Sequence, residues 1–305
     1  MRFVVDEEAL ACAGVADWSA AEEELAQLAD LLSKVRSERE TIGILSGWAA
    51  GAFVFGQNIA SVLASSSQID RDLRNRLLQL LDKCADWDED PAVSVDGEAV
   101  IDGLTVYGLG IARAAQLVAT GRNVAVLTMP WRRLAGFRQV TTTDGRVEMS
   151  FLDEDRDVRL FYRSLIRFEA VHEETFFELA GRAFPGLCFA DGLSFRRFDG
   201  GYAVRDRVVE HLAALDDGFP ETFVAEKGSS ARISARLGIE VSIEGKTRGS
   251  PTLMRQRDAS FLGYVFRCEW HTKLERHRNR IHFFPGDERT GGRILIGLFV
   301  RHLST

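Results

Sequence analysis

Cysteine is scarce in this chain of 305 residues, and the four present (Cys12, Cys84, Cys188, Cys268) form no Cys-x-x-Cys pair and no disulfide-like spacing. That excludes a small disulfide scaffold and points to a reducing cytoplasm. The opening Met1-Arg-Phe-Val-Val-Asp-Glu-Glu8 lacks a charged segment followed by an apolar core, so no signal peptide is expected. Charge is missing from one long stretch: none of the 29 residues from Thr41 to Ile69 carries it, and the middle of that stretch, Trp48 to Phe55, is apolar. Four glycines, Gln57, Asn58 and Ser65 to Ser67 make it a poor bilayer span, and a buried core helix is the expectation. The first 190 residues hold no glycine-rich phosphate loop, no His-Glu-x-x-His and no nucleophile elbow, and no internal repeat or low-complexity tract occurs anywhere.

What is present supports two folded parts. A 305-residue chain that is 46% hydrophobic can bury a full core, and its length suggests two domains. The expected fold is α+β, with a helix-rich α/β domain over 1–190 and a second domain over 191–305. In the first, Phe3 to Val5 reads as a strand, and Ser19 with Glu22 resembles a capping box opening a helix to about Val35. Further helices are expected at Asp70 to Cys84, Leu104 to Thr120, Arg156 to Phe168 and Glu173 to Phe184. Asp86 to Pro91 reads as an acidic loop, Asn123 to Thr128 as a strand, and Val140 to Leu152 as a hairpin around Asp144-Gly145. In the second, Leu193 to Phe198 alternates like a strand, and helices follow at Arg205 to Leu215 and Ser229 to Leu237.

Charge is unevenly divided. From Ser229 onward there are 12 Arg and 2 Lys against 7 acidic residues, a net of +7; the preceding residues hold 24 basic and 38 acidic groups, a net of −14. The whole-chain charge of −7 therefore hides two parts of opposite sign, an asymmetry that suggests a nucleic-acid-facing C-terminal part. The preference for Arg fits phosphate, which the rigid guanidinium fork grips at two points. An acidic first domain suits masking of the basic part, or sensing of a trigger.

Four of the six histidines fall in the last 35 residues, among three apolar runs with period-two alternation. Along Phe266 to Leu274 the side chains of Glu269, His271 and Lys273 share a face; along Asn279 to Phe284 Arg280 and His282 do; the run from Gly292 ends in Arg301-His302. An antiparallel meander presenting these groups makes a site for a polyanion. Two metal readings use the same stretch. One is zinc on Cys268, His271, His277 and His282, though no pair has the tight spacing of structural zinc sites. The other is a nuclease of the PD-(D/E)xK type on Asp258, Glu269 and Lys273, though its acid should stand two residues before the Lys and here the gap is four.

The segment Trp270-His-Thr-Lys-Leu274, Arg280-Ile-His-Phe283, Arg293-Ile-Leu-Ile296 and Arg301-His302 resembles the RelE/YoeB/HigB family of bacterial toxins. The close resemblance runs from Trp270 to His302, and the order of elements matches from about residue 191. It implies a β-α-α-β-β-β domain with an antiparallel sheet and a ribonuclease that cuts messenger RNA, usually on the ribosome, with no metal or other cofactor. It also implies that Arg280 clamps the phosphate, that His271 and His302 act as acid and base, and that Lys273 assists. RNA contacts are expected from Arg278, Arg293, Arg301, His282 and a stacking Trp270. The implied partners are RNA and an antitoxin or defence-system protein, with no membrane. The rival from another class is a RelE-like module that binds nucleic acid or protein without catalysis.

Overall fold

The computed structural model describes residues 1–88, 95–168, 172–275 and 278–301. The chain is mixed α/β and divides into two compact units, Met1–Phe161 and Tyr162–Thr305. No helix among the described residues is long and apolar enough to cross a membrane.

In the first unit, β1 (Phe3–Val5), α1 (Trp18–Ser37), β2 (Ile42–Ile44), α2 (Trp48–Gly51), β3 (Phe53–Val54), β4 (Gln57–Asn58), α3 (Ile59–Ser65), α4 (Arg71–Leu81), β5 (Ala85–Asp86), β6 (Glu98–Ile101), β7 (Leu104–Tyr107), α5 (Leu109–Ala119), β8 (Ala125–Leu127), β9 (Gly136–Thr142) and β10 (Gly145–Leu152) follow in order. Eight strands make one sheet, β5-β2-β1-β8-β10-β9-β6-β7, parallel from β5 to β10 and antiparallel beyond. The three central short parallel strands, β1, β2 and β8, are buried on both faces and carry no polar side chain, as Phe3, Val4 and Val5 illustrate, whereas the edge strand β5 is exposed.

Several expectations for this unit change. The cap of α1 is Asp17, which accepts from the Ala20 amide at 3.0 Å, rather than the Ser19–Glu22 box. Thr41 to Ile69 is no single helix: Gly47 parts β2 from α2, Gly51 ends α2, and Gly56 turns the β3–β4 hairpin that leads into α3. Leu104 to Tyr107 pairs with β6 and the helix begins only after Gly108. The acidic loop expected from Asp86 begins inside β5, and its residues 89–91 lie outside the described residues. The β9–β10 hairpin stands where the Asp144-Gly145 turn signal put it.

The division falls inside α6 (Asp155–Phe168), earlier than the expected boundary at 190. The second unit continues with α7 (Glu173–Ala183), β11 (Leu187–Phe189), α8 (Arg205–Ala225), α9 (Ser230–Leu237), β12 (Val241–Ile243), α10 (Pro251–Arg255), β13 (Asp258–Phe261), β14 (Tyr264–Arg267), β15 (Trp270–Lys273), β16 (Asn279–Phe284) and β17 (Ile294–Arg301). Its five-stranded sheet has the order β11-β17-β16-β15-β12, with β11 parallel to β17 and the other pairs antiparallel. The first strand is therefore Leu187–Phe189. Leu193 to Phe198 forms a short 3-10 turn over Phe195–Arg197, because the Ser194 hydroxyl accepts from the Arg196 amide and Phe195 and Phe198, three apart, both turn into the core. The expected strand over Phe266 to Leu274 is split: Tyr264–Arg267 pairs with β13, and only Trp270–Lys273 joins the sheet.

The sheet has two unlike faces. On one, Trp270 meets Phe219, Phe223 and Phe283, and Phe299 meets Phe195 and Phe198, so α8 and the 195–198 turn close it with aromatic edges. His211 of α8 sits against Thr272 there, Nδ1 to Oγ1 2.5 Å. A buried Arg163 anchors the unit by gripping Asp216 and Asp217, both at 2.7 Å, and the Ala183 carbonyl.

Candidate functional site

The opposite face gathers the chemistry. Antiparallel pairing of β15 and β16 sets His271 across from His282 and Lys273 across from Arg280, so all four side chains leave the sheet on one side. The two imidazoles lie 5.1 Å apart, centroid to centroid. The strand β12 pairs with β15 and ends one residue before Glu244, whose amide bonds the Glu269 carbonyl, so Glu244 projects to the same side.

This face is covered, which overturns the expectation of an open polyanion surface. The excursion between β12 and β15, residues 244–269, folds back over it with α10 and the β13–β14 hairpin. His271 is 4% exposed, His282 0% and Arg280 9%. From the excursion Arg257, 0% exposed, sends Nε to within 3.0 Å of Glu244 Oε1 and donates Nη1–H to the Leu253 carbonyl at 2.7 Å. Thr247 donates its hydroxyl to Glu244 Oε2. Sequence reasoning missed Glu244, Thr247 and Arg257, which stand in no motif spacing; a lone Glu just past a short Val-Ser-Ile strand was the one signal.

Electrostatics follow from burial. Desolvation pushes the Glu244 carboxyl up, but the Thr247 and Arg257 hydrogen bonds and the Arg257 charge outweigh it and hold the group ionised. Burial, with His282 and Arg280 nearby, lowers His271 to about 3. Burial lowers His282 to about 4 against the pull of Glu244. Both imidazoles are thus neutral at pH 7 and offer lone pairs. The nearest nitrogens stand 3.6 Å (His271 Nδ1) and 4.0 Å (His282 Nδ1) from Glu244 Oε1. His282 Nδ1 lies 3.3 Å from the Cys268 carbonyl, whereas His271 Nδ1 and His282 Nε2 are buried with no hydrogen-bond partner among the described residues.

The remaining expected residues scatter. Lys273 pairs with Glu240 at the rim. Arg278, Arg293 and Arg301 are exposed, and Arg278 leans towards Asp199 and Glu275. Trp270, 7% exposed, belongs to the aromatic cluster beneath α8 and cannot stack a base; His282, fully buried, cannot touch RNA. His302 and His277 lie outside the described residues. The PD-(D/E)xK set is dispersed: Asp258 holds Arg267 at 2.7 Å, Glu269 holds Arg248 at 3.0 Å and Lys273 holds Glu240. Of the expected zinc set, Cys268 is packed with Cys188, Ala259 and Phe266, and burial pushes its thiol up to about 12. Two of that set, His271 and His282, do come together, with Glu244 as third member, and among the described residues they form the one group of three or more His, Cys, Asp or Glu able to hold a metal ion.

No family model, curated protein or solved structure matches the chain.

Proposed function

We propose that the Tyr162–Thr305 unit is a RelE-like module that binds RNA and cleaves it. The observation that carries the reading is the register of β15 against β16, which puts Lys273 and Arg280 side by side next to two neutral imidazoles. A phosphate held by Arg280 and Lys273 would stand beside His271, whose neutral ring can take a 2′-hydroxyl proton, while the guanidinium offsets charge on the phosphorane. The net +7 of the region from Ser229 supports a polyanionic substrate. The strand order, with the last strand between β11 and β16 and two helices preceding the antiparallel strands, is compatible with a β-α-α-β-β-β core. Messenger RNA, on or off the ribosome, is the substrate this reading favours, in a cytoplasmic toxin or phage-defence effector restrained by an antitoxin-like partner. The four free cysteines suit that compartment.

One observation favours the rival, a binding module without catalysis: His271 and His282 are covered by residues 244–269. Cleavage therefore requires that the excursion lift. The test is induced expression of the full chain in bacteria beside Arg280→Ala and His271→Asn, with messenger RNA integrity and RNA affinity measured for each. The enzyme reading expects RNA loss with the parent chain and none with either variant, with affinity lowered chiefly by Arg280→Ala. Binding without cleavage by the parent chain selects the rival, and absence of both refutes the RNA reading.

A further inference from the structure

We propose that Glu244, His271 and His282 form a binding site for a divalent first-row transition-metal ion inside the second unit. The three supply one ligand atom each, all within 4.8 Å of one another, from the adjacent strands β15 and β16 and the residue just past the neighbouring β12. Ligands 2.1 Å from a common tetrahedral ion stand about 3.4 Å apart. The Glu244–His271 Nδ1 spacing of 3.6 Å meets that; His282 Nδ1, 4.0 Å from Glu244, faces the Cys268 carbonyl, so ligation through Nε2 requires the ring to turn.

A second observation points the same way independently. His271 Nδ1 and His282 Nε2 are buried polar atoms with no hydrogen-bond partner among the described residues. Orphaned buried nitrogens are disfavoured unless something fills their lone pairs. A metal ion fills such lone pairs.

The surroundings read as outer support. Arg257 and Thr247 hold the two oxygens of Glu244 in place, as outer partners of ligating carboxylates do. The Cys268 carbonyl, beside His282 Nδ1, favours the tautomer that leaves Nε2 open. Two imidazoles and one carboxylate select zinc, iron(II), manganese, cobalt or nickel over magnesium and calcium, which prefer all-oxygen sets. Charge constrains the rest of the shell. A dication offset by one carboxylate, with Arg257 adjacent, leaves positive charge that suits hydroxide or a phosphate oxygen in an open position.

This inference does not depend on the unit cutting RNA, because its readout involves none; with the ion bound, His271 ligates it and is not the base. The full-length chain is purified, its metal content measured before and after EDTA dialysis, and the stripped protein titrated with cobalt(II) while visible d–d absorption is followed. One ion per chain, with the bands of a four- or five-coordinate site, is expected. His271→Asn and His282→Asn should each weaken cobalt at least tenfold, and the metal-induced rise in melting temperature should vanish. Where a variant does not fold, the cobalt spectrum of the parent chain decides between donor sets, since a thiolate such as that of Cys268 adds an intense near-ultraviolet charge-transfer band that nitrogen and oxygen donors lack. A folded parent chain that shows no cobalt d–d bands overturns the proposal, as does undiminished binding by both folded variants or a thiolate charge-transfer band.

Discussion

Arg257→Met isolates the buried ion pair that closes the site. The guanidinium is fully buried, 3.0 Å from Glu244 and bonded to the Leu253 carbonyl, so its removal leaves a buried carboxylate held by Thr247 alone. Breaking such a pair from one side costs about 3–5 kcal/mol, because the surviving charge keeps its desolvation penalty and loses its partner. Methionine fills most of the volume, so little of that loss is a cavity. Hydrogen exchange of the full chain in EDTA, read on the amides of β15 and β16, should show protection falling by about 2–4 decades, since 1.36 kcal/mol is one decade. The double change Glu244→Gln with Arg257→Met should recover at least half the loss, because no unpaired charge remains. A loss below about 1 kcal/mol for the single variant, or no recovery in the double, would refute the assignment of Arg257 as the counter-charge of Glu244.

Two further outcomes follow from burial and close approach. His211, His271 and His282 have their folded pKa values depressed to about 4, 3 and 4, so their contribution is complete above the unfolded value near 6.5 and is lost as pH falls towards 4. Between pH 6.5 and 5.5 each should cost the second unit about 1 kcal/mol, measured as a falling urea midpoint with fluorotryptophan at Trp270, the one tryptophan of that unit; a flat midpoint would contradict neutral burial. In the first unit, a Cβ on Gly110 would stand 2.2 Å from the Val5 carbonyl oxygen and 2.8 Å from Glu7 Oε2. Gly110→Ala should therefore destabilise that unit by about 2–3 kcal/mol despite a better helix propensity, and an unchanged urea transition would show that β1 and α5 separate easily.

Much of the second unit's sheet was legible because its strands alternate. His271, Lys273, Arg280 and His282 sort to one face by parity alone, and the register confirms it. Parity says nothing about what lies on a face, and there the reading failed. The cover over residues 244–269 consists of elements of four or five residues, too short for periodicity to register. Glu244 and Arg257 are 13 positions apart and meet only through the tertiary fold. Leu193 to Phe198 misled because an apolar pair three apart fits a short helical turn as well as a strand. In the first unit Leu104 to Tyr107 merged with α5 because both are apolar, and Gly108 was the break. The helices α6, α7 and α9 were found because their amphipathic period was uninterrupted.

The parallel pairing of β11 with β17 carries a consequence for synthesis. Leu187 and Ile294 are register partners, so the nascent chain must hold Leu187–Phe189 without its neighbour until β17 has emerged from the ribosome. The intervening strands β15 and β16 can pair earlier as a hairpin, but β16, which carries Arg280, lacks its other neighbour until β17 slots between β11 and β16. Such long-range closure is slow compared with local pairing. A domain proposed to attack RNA would thus be born inert, its chemistry assembled only once nearly all of the unit is outside the ribosome.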